Sequence, residues 1–158
     1  MTVVLIMEIN ESKLIENELT LRNLRITSEV TETRRSIIRW LALSFGVISP
    51  GETRLTAVSV LDAVLYFQFN EKRDPTVEEI MEYIGKNWGP VNEKTLRYHL
   101  LQLKKTGIVD NSKGQYYLTR PEIGDKYDPE LWISNYLDSQ VRPIKEKALT
   151  AMRELKTR

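Results

Sequence analysis

Apolar positions along this chain recur mostly at helical spacing. Leu14, Ile15, Leu19, Leu21 and Leu24 step at roughly three and four residues and suggest a first helix. From Glu29 to Phe45 the rhythm is clearer: Val30, Ile37, Ile38, Leu41 and Phe45 share one face, and Gly46 stands where a C-terminal cap is expected. Ser49-Pro50-Gly51 reads as a loop. Thr53 to Phe69 forms a third helix with a broad apolar face, Leu55, Val58, Leu61, Val64, Leu65 and Phe69, which predicts burial. After the turn Lys72-Arg73-Asp74-Pro75, Thr76 and Glu79 have the spacing of a capping box, opening a short helix with Val77, Ile80, Met81 and Ile84 inward. Asn87-Trp88-Gly89-Pro90 ends it.

The pattern then changes. Asn92 caps a helix over 92–106, with Val91 and Leu96 spaced as a hydrophobic staple and Gly107 at its end. Ile108-Val109 and Tyr116-Tyr117-Leu118 are strand-like, and Asp110 to Gly114 is turn chemistry, so 108–119 reads as a hairpin. Asp128-Pro129 opens a long C-terminal helix to about Lys156, which Pro143 is expected to kink or break near Ser139 to Arg142. Residues 2–9 alternate as a short strand would, though Met7 is an alternative start that would leave them a ragged tail. The fold class is therefore mainly α with a small β-hairpin.

Composition narrows the chemistry. The 158 residues are 41% hydrophobic and 28% charged, ordinary for a globular chain, with a net charge of +1. There is no cysteine, which removes disulfides, thiolate metal sites and thiol nucleophiles. No apolar run approaches the ~18 residues of a membrane helix; the start lacks a signal peptide's basic region, and the expectation is a cytoplasmic protein with no membrane partner. The seven glycines form neither a dinucleotide fingerprint nor a phosphate loop, and no nucleophile–base set can be assembled. The expectation is a non-enzyme without cofactor or metal.

The charge is uneven. Asn92 to Arg120 holds six basic residues against two acidic, a local +4, whereas Glu71 to Pro90 is at −2. On the 92–106 helix Leu96, Leu100 and Leu103 form the inward stripe. Lys94, Arg97, Tyr98, Leu101 and Lys105 occupy the rest of the circumference, residue types suited to phosphates and base edges. His99, the single histidine, lies beside the stripe and reads better as a packed helix residue than as a ligand. Trp88 reads better as a helix-end anchor than as a base-stacking platform, and Arg34, Arg35 and Arg39 better as a solvated helix face than as a second DNA contact.

The stretch TLRYHLLQLKKTGIV (Thr95–Val109) followed by KGQYYLT (Lys113–Thr119) resembles the recognition helix and wing of winged helix-turn-helix DNA-binding proteins. It is similar to small archaeal and bacterial transcriptional regulators of the MarR and ArsR type. The resemblance covers residues 53–120, between an N-terminal helical extension (1–52) and a C-terminal one (121–158). It implies double-stranded DNA as partner, helix 92–106 in the major groove and hairpin 108–119 as wing. Lys94, Arg97, Tyr98, Leu101 and Lys105 would face DNA, Thr95 would meet a phosphate near the helix N-terminus, and Lys113 would meet the backbone or minor groove. Winged helices also serve as adaptors in protein assemblies, the alternative reading. Finally, Leu137, Val141, Ile144, Ala148, Met152 and Leu155 form a seam suited to another helix. The expectation is a homodimer through that seam, the other option being packing on the chain's own N-terminal helices.

Overall fold

The fold is known from a computed structural model, which describes residues 10–158; the strand expected over residues 2–9 lies outside them. In chain order the described residues form a 3-10 turn (Glu11–Leu14), α1 (Ser28–Glu32), α2 (Arg34–Ser44), α3 (Thr56–Tyr66), α4 (Val77–Asn87), α5 (Glu93–Lys105), β1 (Val109–Ser112), β2 (Gln115–Leu118) and α6 (Pro129–Lys156). The molecule is mainly helical, with one antiparallel hairpin.

α3 is the centre. Every residue from Val58 to Leu65 is buried, because α2, α4, α5 and β2 all pack around it. Its last turn widens into a π-turn (Phe67–Glu71) that Lys72 ends at φ 55°. Ile80 and Ile84 of α4, Leu96, Leu100 and Leu103 of α5, and Ile108 complete the core with relative exposures of 3% or less. The first half of α6 joins it through Trp132 and Tyr136, whose rings stack at 5.6 Å; the Tyr136 hydroxyl also donates to the Thr106 carbonyl at 3.2 Å.

Three sequence expectations are corrected. No helix forms over 14–24. Between Ile15 and Thr27 the chain is a non-helical strap over the end of α2, and the α-helices of the N-terminal extension begin only at Ser28. The strap supplies what α2's end lacks, partners for its last carbonyls. The Arg22 guanidinium donates to the carbonyls of Leu43 (2.8 Å) and Ile48 (2.9 Å), and the Arg22 amide donates to that of Ser44 (2.8 Å). At Gly46 (φ 69°) a Cβ would sit 2.7 Å from the Thr20 Cβ, so the strap's close approach itself requires glycine. Second, the helix expected over 29–45 is divided at Thr33, which is extended (φ −131°, ψ 156°). Its hydroxyl accepts from the Ser36 amide at 3.1 Å, and Ser36 Oγ accepts from the Thr33 amide at 3.3 Å: a capping box starts α2 anew. Third, α6 runs unbroken through Pro143. The missing N–H frees the Ser139 carbonyl, but Ser139 is exposed and water can take that bond.

The hairpin is tighter than expected. Asp110 to Ser112 belong to β1, and the turn is only Lys113–Gly114, with φ 53° and 78°, the pair of positive values a two-residue hairpin loop requires. A further bridge pairs Thr76 with Gln115, and the Tyr116 amide donates to the Pro75 carbonyl at 2.8 Å, so the link between α3 and α4 lies along β2.

One buried carboxylate joins these helices. Asp62 on α3 is 3% exposed. It accepts from Arg34 Nε of α2 at 2.7 Å, from the Tyr83 hydroxyl of α4 at 2.9 Å and from Trp88 Nε1 at 2.8 Å. Burial, then the Asp62 charge, push the Tyr83 phenol up to about 12, so it stays a donor. Of the arginines expected on a solvated face, Arg34 and Arg35 are exposed and Arg39 is half-buried, and all three are also engaged. Arg34 binds Asp62; Arg35 lies 4.0 Å over the Trp88 ring and donates to the Asn87 carbonyl; Arg39 donates to the Glu52 carbonyl at 2.9 Å. Asp62→Ala should lower the unfolding free energy by about 3–5 kcal/mol, since it breaks an ion pair and orphans two further donors. Urea melts read this; a loss below about 1 kcal/mol would mean the helices hold without the cluster.

Candidate nucleic-acid interface

α5 is positioned from both ends. Before it, Trp88 is fixed to Asp62. Asn92 Oδ1 accepts from the Thr95 amide at 3.1 Å and caps the first turn. After it, Gly107 (φ 79°) turns the chain into Ile108, which is fully buried. Leu96, Leu100 and Leu103 then seat one face in the core, as their spacing requires.

The opposite face takes no part in the fold. Lys94, Thr95, Arg97, Tyr98, Leu101 and Lys105 are all exposed, Tyr98 by 57% and Leu101 by 49%. Positions 94, 97, 98, 101 and 105 fall in one stripe along the helix. Lys113 is exposed at the hairpin tip. Among the described residues, Lys94, Lys105 and Lys113 enter no ion pair. Arg97 lies 3.6 Å from Glu93 one turn back, an exposed pair of little strength. Because the Thr95 amide serves the cap, an anion at this helix end would meet the Thr95 hydroxyl and the amides of Glu93 and Lys94.

The hairpin is held beside α5. Lys104 Nζ donates to Asn111 Oδ1 at 2.8 Å. The root of β2 is tied to α3 through Gln68, which is 2% exposed. Its amide oxygen accepts from the Leu118 amide at 2.8 Å, and its Nε2 donates to the Arg73 carbonyl (3.1 Å) and to Asp74 Oδ1 (3.0 Å). Arg120 closes onto Asp74 and lies 4.2 Å over the Tyr117 ring. Asp62 and Gln68 were not singled out from sequence. The signal for both was a polar residue inside an otherwise apolar helix.

His99 is half-buried. Its ring meets Tyr98 edge-on at 5.2 Å, and it lines a cleft of about 280 Å³ with Glu52, Ala57, Gln102 and Thr106. Among the described residues no group of three or more His, Cys, Asp or Glu could hold a metal ion, and no helix is long and apolar enough to cross a membrane.

No family model matches the chain, and no curated protein or solved structure matches it significantly. The functional reading therefore rests on the geometry.

Burial holds the His99 imidazole below its ordinary 6.5, against the opposing pull of Glu52. A folded-state value below the unfolded one means that the unfolded chain binds the proton more readily. The stabilisation is present above pH ~6.5 and is lost as pH falls through that value toward the folded one. His99→Gln should flatten the fall of the melting temperature as pH drops below about 6.5. A proton-NMR titration of this single histidine giving a value above 6.5 would reverse the sign.

Proposed function

We propose that this protein is a cytoplasmic winged helix-turn-helix transcriptional regulator that binds double-stranded DNA through α5 and the β1–β2 hairpin. The observation that carries the reading is the exposed stripe of α5. A 13-residue helix with three buried leucines keeps Lys94, Arg97, Tyr98, Leu101 and Lys105 on a face that stability does not use. An α-helix fits the major groove of B-DNA. There Arg97 offers a bidentate donor to guanine, Leu101 an apolar contact to a thymine methyl, and Lys94 and Lys105 charge to phosphates.

The winged arrangement is supported by the Thr76–Gln115 bridge. With it the order from α3 onward is helix, short bridge strand, helix, helix, and two strands that return to the bridge. The hairpin is thus built from α3's side of the domain, with Lys113 at its free end. A two-fold-symmetric DNA site requires a second copy of the chain, which we take to pair through α6.

Binding to random duplex DNA across a salt series tests the reading directly. A steep fall in affinity with salt is expected, and absence of binding at low salt would favour the protein-adaptor alternative. Arg97→Ala and Tyr98→Ala should each cost about 1–3 kcal/mol of specific affinity and relax sequence preference with little change in thermal stability. Lys113→Ala should weaken binding to all sequences alike and reduce the salt slope by about 1; an unchanged slope would remove the hairpin tip from the phosphates.

A further inference from the structure

The second half of α6 adds nothing to its own chain's core. Every residue from Val141 to Arg158 is exposed. Yet four of the five large apolar side chains there lie on one side, Val141, Ile144, Met152 and Leu155 being 42%, 55%, 58% and 64% exposed, while Leu149 stands off that row. Set on a seven-residue repeat, Val141, Ala148 and Leu155 take the first position and Ile144 and Ala151 the fourth. The seam is large at its ends and small in its middle.

We infer that this seam binds the same seam of a second copy, with the two helices antiparallel. Ile144 meets the partner's Leu155, and Ala148 meets the partner's Ala151. The two-fold axis passes between Leu149 and Thr150, and the paired alanines let the helices approach closely. Charge selects this register. It places Lys147 beside the partner's Glu154, and symmetry repeats the pair. An antiparallel pairing shifted by one repeat would set Lys145 and Lys147 against their own counterparts, which repel. A parallel pairing would offer Lys147 only the partner's Met152.

A vacant groove lies where the partner's helix end arrives. Leu14 and Ile15, 67% and 56% exposed, flank a groove of about 770 Å³ against Pro143, Ile144, Lys147 and Ala148. The partner's Glu154 and Leu155 reach this level. Glu16 already accepts from Lys147 at 2.9 Å, and an ammonium with three donors can serve both carboxylates. The inference gives the geometry of the second-copy reading above and is independent of whether DNA is the ligand.

The chain has no cysteine, so introduced thiols report the register cleanly. Ala148→Cys and Ala151→Cys variants, purified separately and oxidised under mild conditions, should each remain uncrosslinked. Mixed, they should give a disulfide-linked pair. Crosslinking of Ala148→Cys alone would mean parallel helices, and no crosslink in the mixture would remove the Ala148–Ala151 layer; either result overturns the inference. In sedimentation runs, with Glu16→Gln as the common background so that position 147 meets no acid of its own chain, Lys147→Glu and Glu154→Lys should each weaken self-association about tenfold, and the double exchange should restore it. A double variant as weak as the single ones overturns the ion pair, and a monomeric wild type overturns the whole interface. Half-site DNA affinity of the same samples tests the DNA reading separately, because α5 is untouched.

Discussion

The arrangement of the helices depends on a buried carboxylate. Asp62 sits within the most buried stretch of the chain, where an ionised group is tolerated only if its oxygens are filled. Arg34, Tyr83 and Trp88 fill them, from α2, α4 and the segment before α5. A leucine at this position could fill space, but it would accept any rotation of the neighbouring helices that kept the volume. A carboxylate with three donors does not, since each rotation leaves a buried polar atom without a partner. Trp88 lies four residues ahead of the α5 cap, so this cluster fixes the chain entering α5 while the helix's own leucines seat it on the core.

Gln68 plays the same part for the hairpin. β2 approaches α3 with the Leu118 amide pointing inward, and a buried amide without an acceptor is costly. Gln68 Oε1 supplies the acceptor from the π-turn, while its Nε2 is held by the Arg73–Asp74 segment that leads to the bridge strand. The wider turn at Phe67–Glu71 belongs to this arrangement, because a π-turn displaces side chains from their regular helical positions. The two outward-facing elements, α5 and the hairpin, are thereby both referred to one frame. Six residues separate the two polar side chains that fix them.

Much of this was legible from spacing. The Thr76–Glu79 capping box, the Asn92 cap, the leucine stripe of α5 and the positive φ at Gly107 are local features, and local features survive folding. The six candidate contact residues on α5 all emerged exposed for the same reason: the buried face of the helix left them no other place, and Lys113 is exposed at the hairpin tip. What spacing could not give was long-range. Leu14 to Leu24 has helical rhythm, but its backbone is more useful as a cover for the free carbonyls ending α2. Arg34 and Arg35 are exposed as a solvated row would be, but the acceptors that Arg34, Arg35 and Arg39 reach, on Asp62, Asn87 and Glu52, lie 13 to 52 residues away and leave no local signal. Pro143 reads as a break only if the freed carbonyl is buried, and burial is a property of the whole molecule.

The surplus of apolar surface then becomes informative. Tyr98 and Leu101 on α5, and Val141, Ile144, Met152 and Leu155 on α6, are exposed in rows, whereas isolated surface apolar residues need no explanation. Each row lies on a helix already anchored elsewhere, α5 by its leucines and α6 by Trp132 and Tyr136. The exposed halves could be polar without loss of the fold. The charges beside them are held lightly. Glu93 lies 3.6 Å from Arg97, Asp110 lies 3.7 Å from Lys104, and Glu16 bonds Lys147, all with side chains about half exposed or more, where water screens the attraction. Exposed pairs of this kind hold their cations only weakly in place.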